Sequence, residues 1–237
     1  MKFILGKKEN MTRLFDEKTG LATPATTVVA GPCFVSQVKV KSSDGISAVQ
    51  IVFDSKRRVS KPVSKHLKNS PANRFIREFR LKDDAEAAIF KVGDKITAEA
   101  FAEGDVVAVI GTSKGKGFQG VVKRHHFKGS PKTHGHKDQL RMPGSIGATA
   151  PQRVPKGRRM AGHMGTDRVT VKNLNVVKID RDQNRIYING AIPGARGSLI
   201  IIKGEGAMTP HHEEDKGALK ETSVEPQEEV KTEVAAS

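Results

Sequence analysis

Short apolar runs crowd both ends of the chain, and the middle has almost none. Residues 26–30 and 33–41 are β-branched or alternate apolar with polar, split by Gly31 and Pro32. That pattern predicts two strands separated by a turn. Residues 48–53 alternate again, after the turn residues Ser43, Asp44 and Gly45. Residues 106–110 are continuously apolar, the length of a buried strand. Runs at 169–171, 174–179, 186–188 and 198–202 come next at short spacing, and 180–184 predicts a hairpin turn. Helical signal is thin. Residues 61–69 predict one short helix, with Ser60 as N-cap and Pro62 in its first turn. Residues 116–127 predict another, weakened by their glycines. The expectation is a mainly β fold: an antiparallel β-barrel body with few short helices.

Charge explains the silent middle. Residues 111–164 hold twelve Lys or Arg against the single acid Asp138, a net +11 within an overall +15. Such a segment cannot bury enough apolar surface to offset its ordering entropy. It calls for a polyanion, and nucleic acid is the obvious one. The strands lie on both sides of it. Residues 1–110 and 165–210 are therefore expected to form one body, with 111–164 inserted as a projecting basic extension, because a structureless insertion this long is improbable inside a compact domain. Residues 211–237 carry eight acids against three Lys and predict a disordered acidic tail.

Several other chemistries lose ground. Cys33 is the only cysteine, which excludes an internal disulfide and suits a small core residue in a reducing, cytosolic setting. No apolar run approaches the roughly 18 residues of a membrane span, and residues 1–5 are too short for a signal-peptide core. Trp is absent and Tyr187 is the only tyrosine, so Phe, His and Arg would do any stacking. No catalytic signature frames the Ser, His and Asp residues. The histidines His125, His126, His134, His136 and His163 have only Asp138 for a carboxylate, and cations surround them, so no metal is expected. No other cofactor and no small-molecule substrate is implied.

One glycine-rich stretch needs separate treatment. Gly115, Gly117 and Gly120 come after a predicted strand in the G-x-G-x-x-G spacing of a phosphate loop. A dinucleotide site wants an acid about 20 residues later, where Leu140 and Arg141 stand. A nucleotide-dependent transferase using this loop is the rival function. The better reading is that glycine lets the chain pack against RNA while Lys114, Lys116, Lys123 and Arg124 meet phosphates.

These same residues carry a resemblance. Gly111, Thr112, Ser113, Lys114, Gly115, Lys116, Gly117 and Phe118, then Gly120, Val121, Val122, Lys123 and Arg124, resemble the hallmark stretch of the universal large-subunit ribosomal protein three family (the L-three family), in its bacterial form. Pro143, Gly144, Ser145, Ile146 and Gly147 are similar too, as are Lys156 through Gly165, the opening Gly6, Lys7 and Lys8 with Met11, Thr12 and Arg13, and Gly190 through Gly194. The blocks keep the family's order over residues 1–205.

The resemblance implies a structural, non-enzymatic constituent of the large subunit in the cytoplasm. It implies binding of ribosomal RNA near its 3′ end, nucleation of assembly, and neighbours from the L-fourteen and L-nineteen families. The expected RNA contacts are the four cations named above and the five histidines, with Lys128, Lys132, Lys137, Arg141, Arg153, Lys156, Arg158 and Arg159. The tip, reaching toward the peptidyl transferase centre, would comprise Gly144, Ser145, Ile146, Gly147, Ala148 and Arg153. Ala148 replaces a glutamine that some members carry methylated. Asn10 replaces a usual glycine, and a tight turn is expected to survive there because Asn tolerates positive φ.

Overall fold

The computed structural model describes residues 1–15, 20–67, 73–150, 152–208 and 210–211. The expected acidic tail, His211 apart, lies outside the described residues. In chain order the elements are β1 (Lys2–Phe15), β2 (Ala22–Ala30), β3 (Cys33–Lys39), α1 (Lys41–Asp44), β4 (Ala48–Ser55), α2 (Lys61–His66), β5 (Asn73–Arg80), α3 (Asp84–Ala88), β6 (Lys95–Ile96), β7 (Val106–Thr112), β8 (Phe118–Gln119), α4 (Val121–His125), β9 (Gly162–His163), β10 (Arg168–Asp180), β11 (Arg185–Asn189) and β12 (Leu199–Gly204). The fold is mainly β, as the apolar pattern predicts. Among the described residues, no helix is long and apolar enough to cross a membrane.

The chain divides into two compact units. Met1–Gly31 groups with Thr97–Met208, and Pro32–Ile96 groups with the described residues after Met208. Apolar spacing draws no such boundary, because strands on both sides of it alternate alike.

The first unit is a closed antiparallel barrel in the order β1-β12-β7-β10-β11-β2, sealed by β1 pairing with β2. Its inward positions keep a period of two. Ile186 and Ile188 on β11, and Ile200 and Ile202 on β12, are fully buried. Each such side chain contributes roughly 1.5–3 kcal/mol by leaving water. The runs 169–171 and 174–179, read as two strands, are one. Asn173 takes a positive φ of 57° and bulges β10, shifting its register against β7 between Val171 and Leu174. Residues 180–184 turn as expected, with the Gln183 amide donating to Asp180 Oδ1 at 3.1 Å. Asn10 does not make the expected turn. It lies inside β1, where the register against β2 shifts between Lys8 and Met11.

The second unit is a four-stranded antiparallel sheet, β5-β4-β3-β6. Cys33, Val35, Ile51, Phe53 and Phe79 form its core, so the lone thiol is a buried packing residue. Helix α2 begins after Ser60 and carries Pro62 in its first turn, although Ser60 makes no side-chain cap bond. Residues 68–69 of that expected helix lie outside the described residues.

Candidate nucleic-acid interface

The basic segment leaves the barrel between β7 and β10, whose ladder ends at Thr112 opposite Arg168. Glycine at position 111 leaves this exit tightly packed without displacement. A Cβ there would lie 2.9 Å from Ile200 Cδ1 and 3.1 Å from the Pro193 carbonyl. Beside it, the Lys8 ammonium donates to the carbonyls of Ile192 at 2.7 Å and Gly194 at 3.1 Å. Burial, and then the nearby charge of Lys114, hold the Lys8 pKa below its ordinary value.

Beyond the barrel the two stems continue as an antiparallel ribbon. The Ser113 amide donates to Asp167 O at 2.8 Å, the Lys116 amide to Met164 O at 2.9 Å, and the Met164 amide to Gly117 O at 3.0 Å. β8 then pairs with β9, Phe118 opposite His163. At Gly165, φ 83°, a Cβ would collide with the Lys114 carbonyl of the opposite stem.

The helix expected over 116–127 is therefore corrected. Lys116 through Gln119 are ribbon, and only Val121–His125 turns helical, after an extended Gly120. Gly117 at φ 69° cannot continue a right-handed helix. The same geometry disfavours a phosphate loop. The Lys116 amide is already given to Met164, and the helix after the loop is five residues long.

Helix α4 braces the ribbon. Val121 is its buried anchor. Arg124 Nη1 donates to Met160 O at 2.7 Å, and the His125 Nε2–H donates to the same carbonyl at 3.0 Å. Arg124 also lies over Gly162, where a Cβ would stand 2.7 Å from Nη1. Arg124 and His125, both expected RNA contacts, thus hold the segment's own shape, as Arg158 does nearer the tip. Charge alone does not reveal that, because a cation bracing a carbonyl and a cation awaiting phosphate look alike in sequence.

The other expected contacts are displayed outward. Lys114, Lys116, Lys123, His126, Lys128, Lys132, His134, Lys137, Arg141, Arg153, Lys156, Arg158, Arg159 and His163 are all exposed, and His136 is half-buried. The tip residues Gly144, Ser145, Ile146, Gly147, Ala148 and Arg153 are exposed as well. Arg158 reaches back to the Ser145 carbonyl, which ties the tip to the returning strand. Among the described residues, no Lys or Arg of this segment has an acidic partner. Ion pairs lie elsewhere, among them Lys2–Asp105 (2.8 Å), Lys39–Glu78 (2.6 Å), Arg185–Glu9 (3.4 Å) and Arg74–Asp54 (3.9 Å). Nor do three or more His, Cys, Asp or Glu side chains gather for a metal among the described residues.

A second cationic run escapes the sequence argument. In the sheet unit, Lys56, Arg57, Arg58, Lys61 and Lys65 are exposed, with no acid from Ser55 to Leu67. Its local charge density is the available signal, overshadowed by the larger block.

A closed β-barrel bearing a solvated cationic ribbon defines a basic, mainly β class of protein. Residues 83–190 match the family model for ribosomal protein L3. The chain is 48% identical over 209 residues to the large ribosomal subunit protein uL3 of Herpetosiphon aurantiacus, covering 87% of this chain and 97% of that protein. It is 50% identical over 206 residues to uL3 of Desulfitobacterium hafniense, covering 85% and 95%. It is 47% identical over 205 residues to uL3 of Chloroherpeton thalassium, covering 85% and 98%. The chain belongs to the ribosomal protein L3 family.

Proposed function

We propose that this chain is a structural, non-catalytic component of the large ribosomal subunit that binds ribosomal RNA through residues 111–164. One observation carries the reading: the twelve cations of residues 111–164, a segment rooted in a backbone-braced ribbon, have no acidic partner among the described residues. Unpartnered positive charge at this density is matched by the phosphates of folded RNA. Lys supplies point charges, while Arg offers a planar fork to phosphates and a face to bases. Backbone contacts dominate such recognition, so it reads RNA shape more than sequence.

Family membership supports the finer placement. The barrel binds near the 3′ end of the large-subunit RNA, nucleates assembly, and meets neighbours of the L-fourteen and L-nineteen families. The extension runs toward the peptidyl transferase centre with residues 144–153 innermost. The run from Lys56 to Lys65 adds a second electrostatic contact. The setting is cytoplasmic.

The test is a salt series with a large-subunit ribosomal RNA fragment. If about six of the twelve cations release counterions, log K against log salt falls with a slope of roughly −4 to −5. A slope near zero defeats the reading. Co-sedimentation with large subunits through high-salt washing separates stable incorporation from a passing chaperone-like contact.

A further inference from the structure

Resting on the RNA-binding reading, we propose that a cleft in the distal extension is a receptor for one unstacked RNA nucleotide. The cleft lies between residues 127–130 and 139–145 and has a volume of about 670 Å³. That is within the range of small-molecule sites and ample for a base with its ribose.

Its lining has the three chemistries a nucleotide presents. The Phe127 ring, the Met142 thioether and Pro143 offer apolar surface to a base face. The Gln139 amide carries a donor and an acceptor together, as a base edge does, and Ser130 and Ser145 add hydroxyls. Lys128 lines the cleft, exposed Arg141 precedes Met142 in the chain, and no carboxylate is in the lining. Anionic flanking phosphates are accommodated; an acidic or purely aliphatic peptide would leave one of these sets unmatched.

The walls are built. The Ser130 amide donates to Leu140 O at 3.1 Å, and the Met142 amide to Gln139 O at 3.3 Å. Gly129, at φ 76°, sits so close to the Leu140 carbonyl that any Cβ would collide with it. Arg158 holds the third wall through the Ser145 carbonyl. Yet Met142 remains 53% exposed. A large apolar side chain left in water at the mouth of a braced cleft points to a ligand that covers it.

The full-length chain is bound to a large-subunit RNA fragment, and unpaired Watson–Crick edges are probed with dimethyl sulfate and a carbodiimide. The wild type is expected to protect one unpaired base that becomes reactive with Met142→Ala and with Gln139→Ala. Affinity should fall about fivefold or more, the lower end of what stacking one base contributes. The salt slope should not change, because neither residue is charged. Met142→Leu, which keeps the apolar face, should keep the protection.

Identical protection and affinity in all variants would overturn the proposal while a steep salt slope left the RNA-binding reading standing. A flat slope for the wild type would remove both. Loss of the whole footprint in Met142→Leu as well would also overturn it, since residue 142 would then hold the extension's shape. So would a photocrosslink from position 142 that goes to protein in assembled subunits.

Discussion

In the barrel, Ile186, Ile188, Ile200 and Ile202 are shut away from water. In the extension only Val121 is buried among the described large apolar side chains, while Phe118, Met142, Ile146 and Val154 stand in solvent. The barrel keeps its shape by hiding oil. The extension is shaped by hydrogen bonds to backbone carbonyls: from the amides of Lys116 to Met164 and Ser130 to Leu140, and from the Arg124 guanidinium to Met160. Bonds of that kind contribute about 1 kcal/mol each when water competes for them. One polypeptide thus combines a region packed on buried apolar side chains with a region held mainly by polar bonds.

The largest effect that could break this contrast comes from removing the extension. Replacing residues 114–164 with a tight turn should abolish the steep salt dependence of RNA binding and cost affinity by orders of magnitude. The cooperative melt of the barrel, monitored by circular dichroism, should survive. Loss of that melt would make the extension part of the core.

The converse experiment is smaller. Ile202→Ala should lower unfolding free energy by about 2–5 kcal/mol in a urea titration, through lost burial and a residual cavity. The salt slope of RNA binding, measured where the variant is still folded, should be unchanged.

Smallest is the effect of a single barrel charge. Asp105 accepts from Lys2 Nζ at 2.8 Å and from the Ala102 amide at 3.0 Å. Burial pushes its pKa up, but the Lys2 hydrogen bond, the amide and the Lys2 charge outweigh that and hold the carboxyl below its ordinary value. A depressed carboxylate pKa stabilises the fold above the unfolded-state value, and that contribution is lost as pH falls through the folded one. Asp105→Asn should therefore cost less than about 1 kcal/mol near neutral pH. The gap from wild type should close in acid, as thermal melts across pH would show. Charge in the barrel is a minor stabiliser; charge in the extension is the proposed point of contact.

The same contrast governs how much of the molecule is legible in its sequence. The runs around Ile186, Ile188, Ile200 and Ile202 announce their strands because burial imposes period two. β1 is concealed because Gly6, Lys7 and Lys8 interrupt its apolar run, although the strand continues to Phe15. β5 is concealed because Arg74, Arg77 and Arg80 spread through an edge strand that remains partly solvated. The extension is legible as charge and as a family resemblance, but its hairpin is not. Amide-to-carbonyl pairing is open to nearly any residue and leaves little mark on side-chain identity. Gly129 and Gly165 are exceptions, since a Cβ at either would collide with a carbonyl of the facing chain. The cleft beside Met142 has no linear signature at all, because its walls come from two separate stretches, 127–130 and 139–145.

The exit between β7 and β10 has a mechanical consequence. Both stems prolong strands that are themselves zipped to outer neighbours, β7 to β12 over five residue pairs and β10 to β11 over four. A tug on the distal end runs along those strands and loads the flanking ladders sideways, many links sharing the strain together. A pull on the extension would thus be shared between two ladders of the barrel rather than borne by its own hairpin alone.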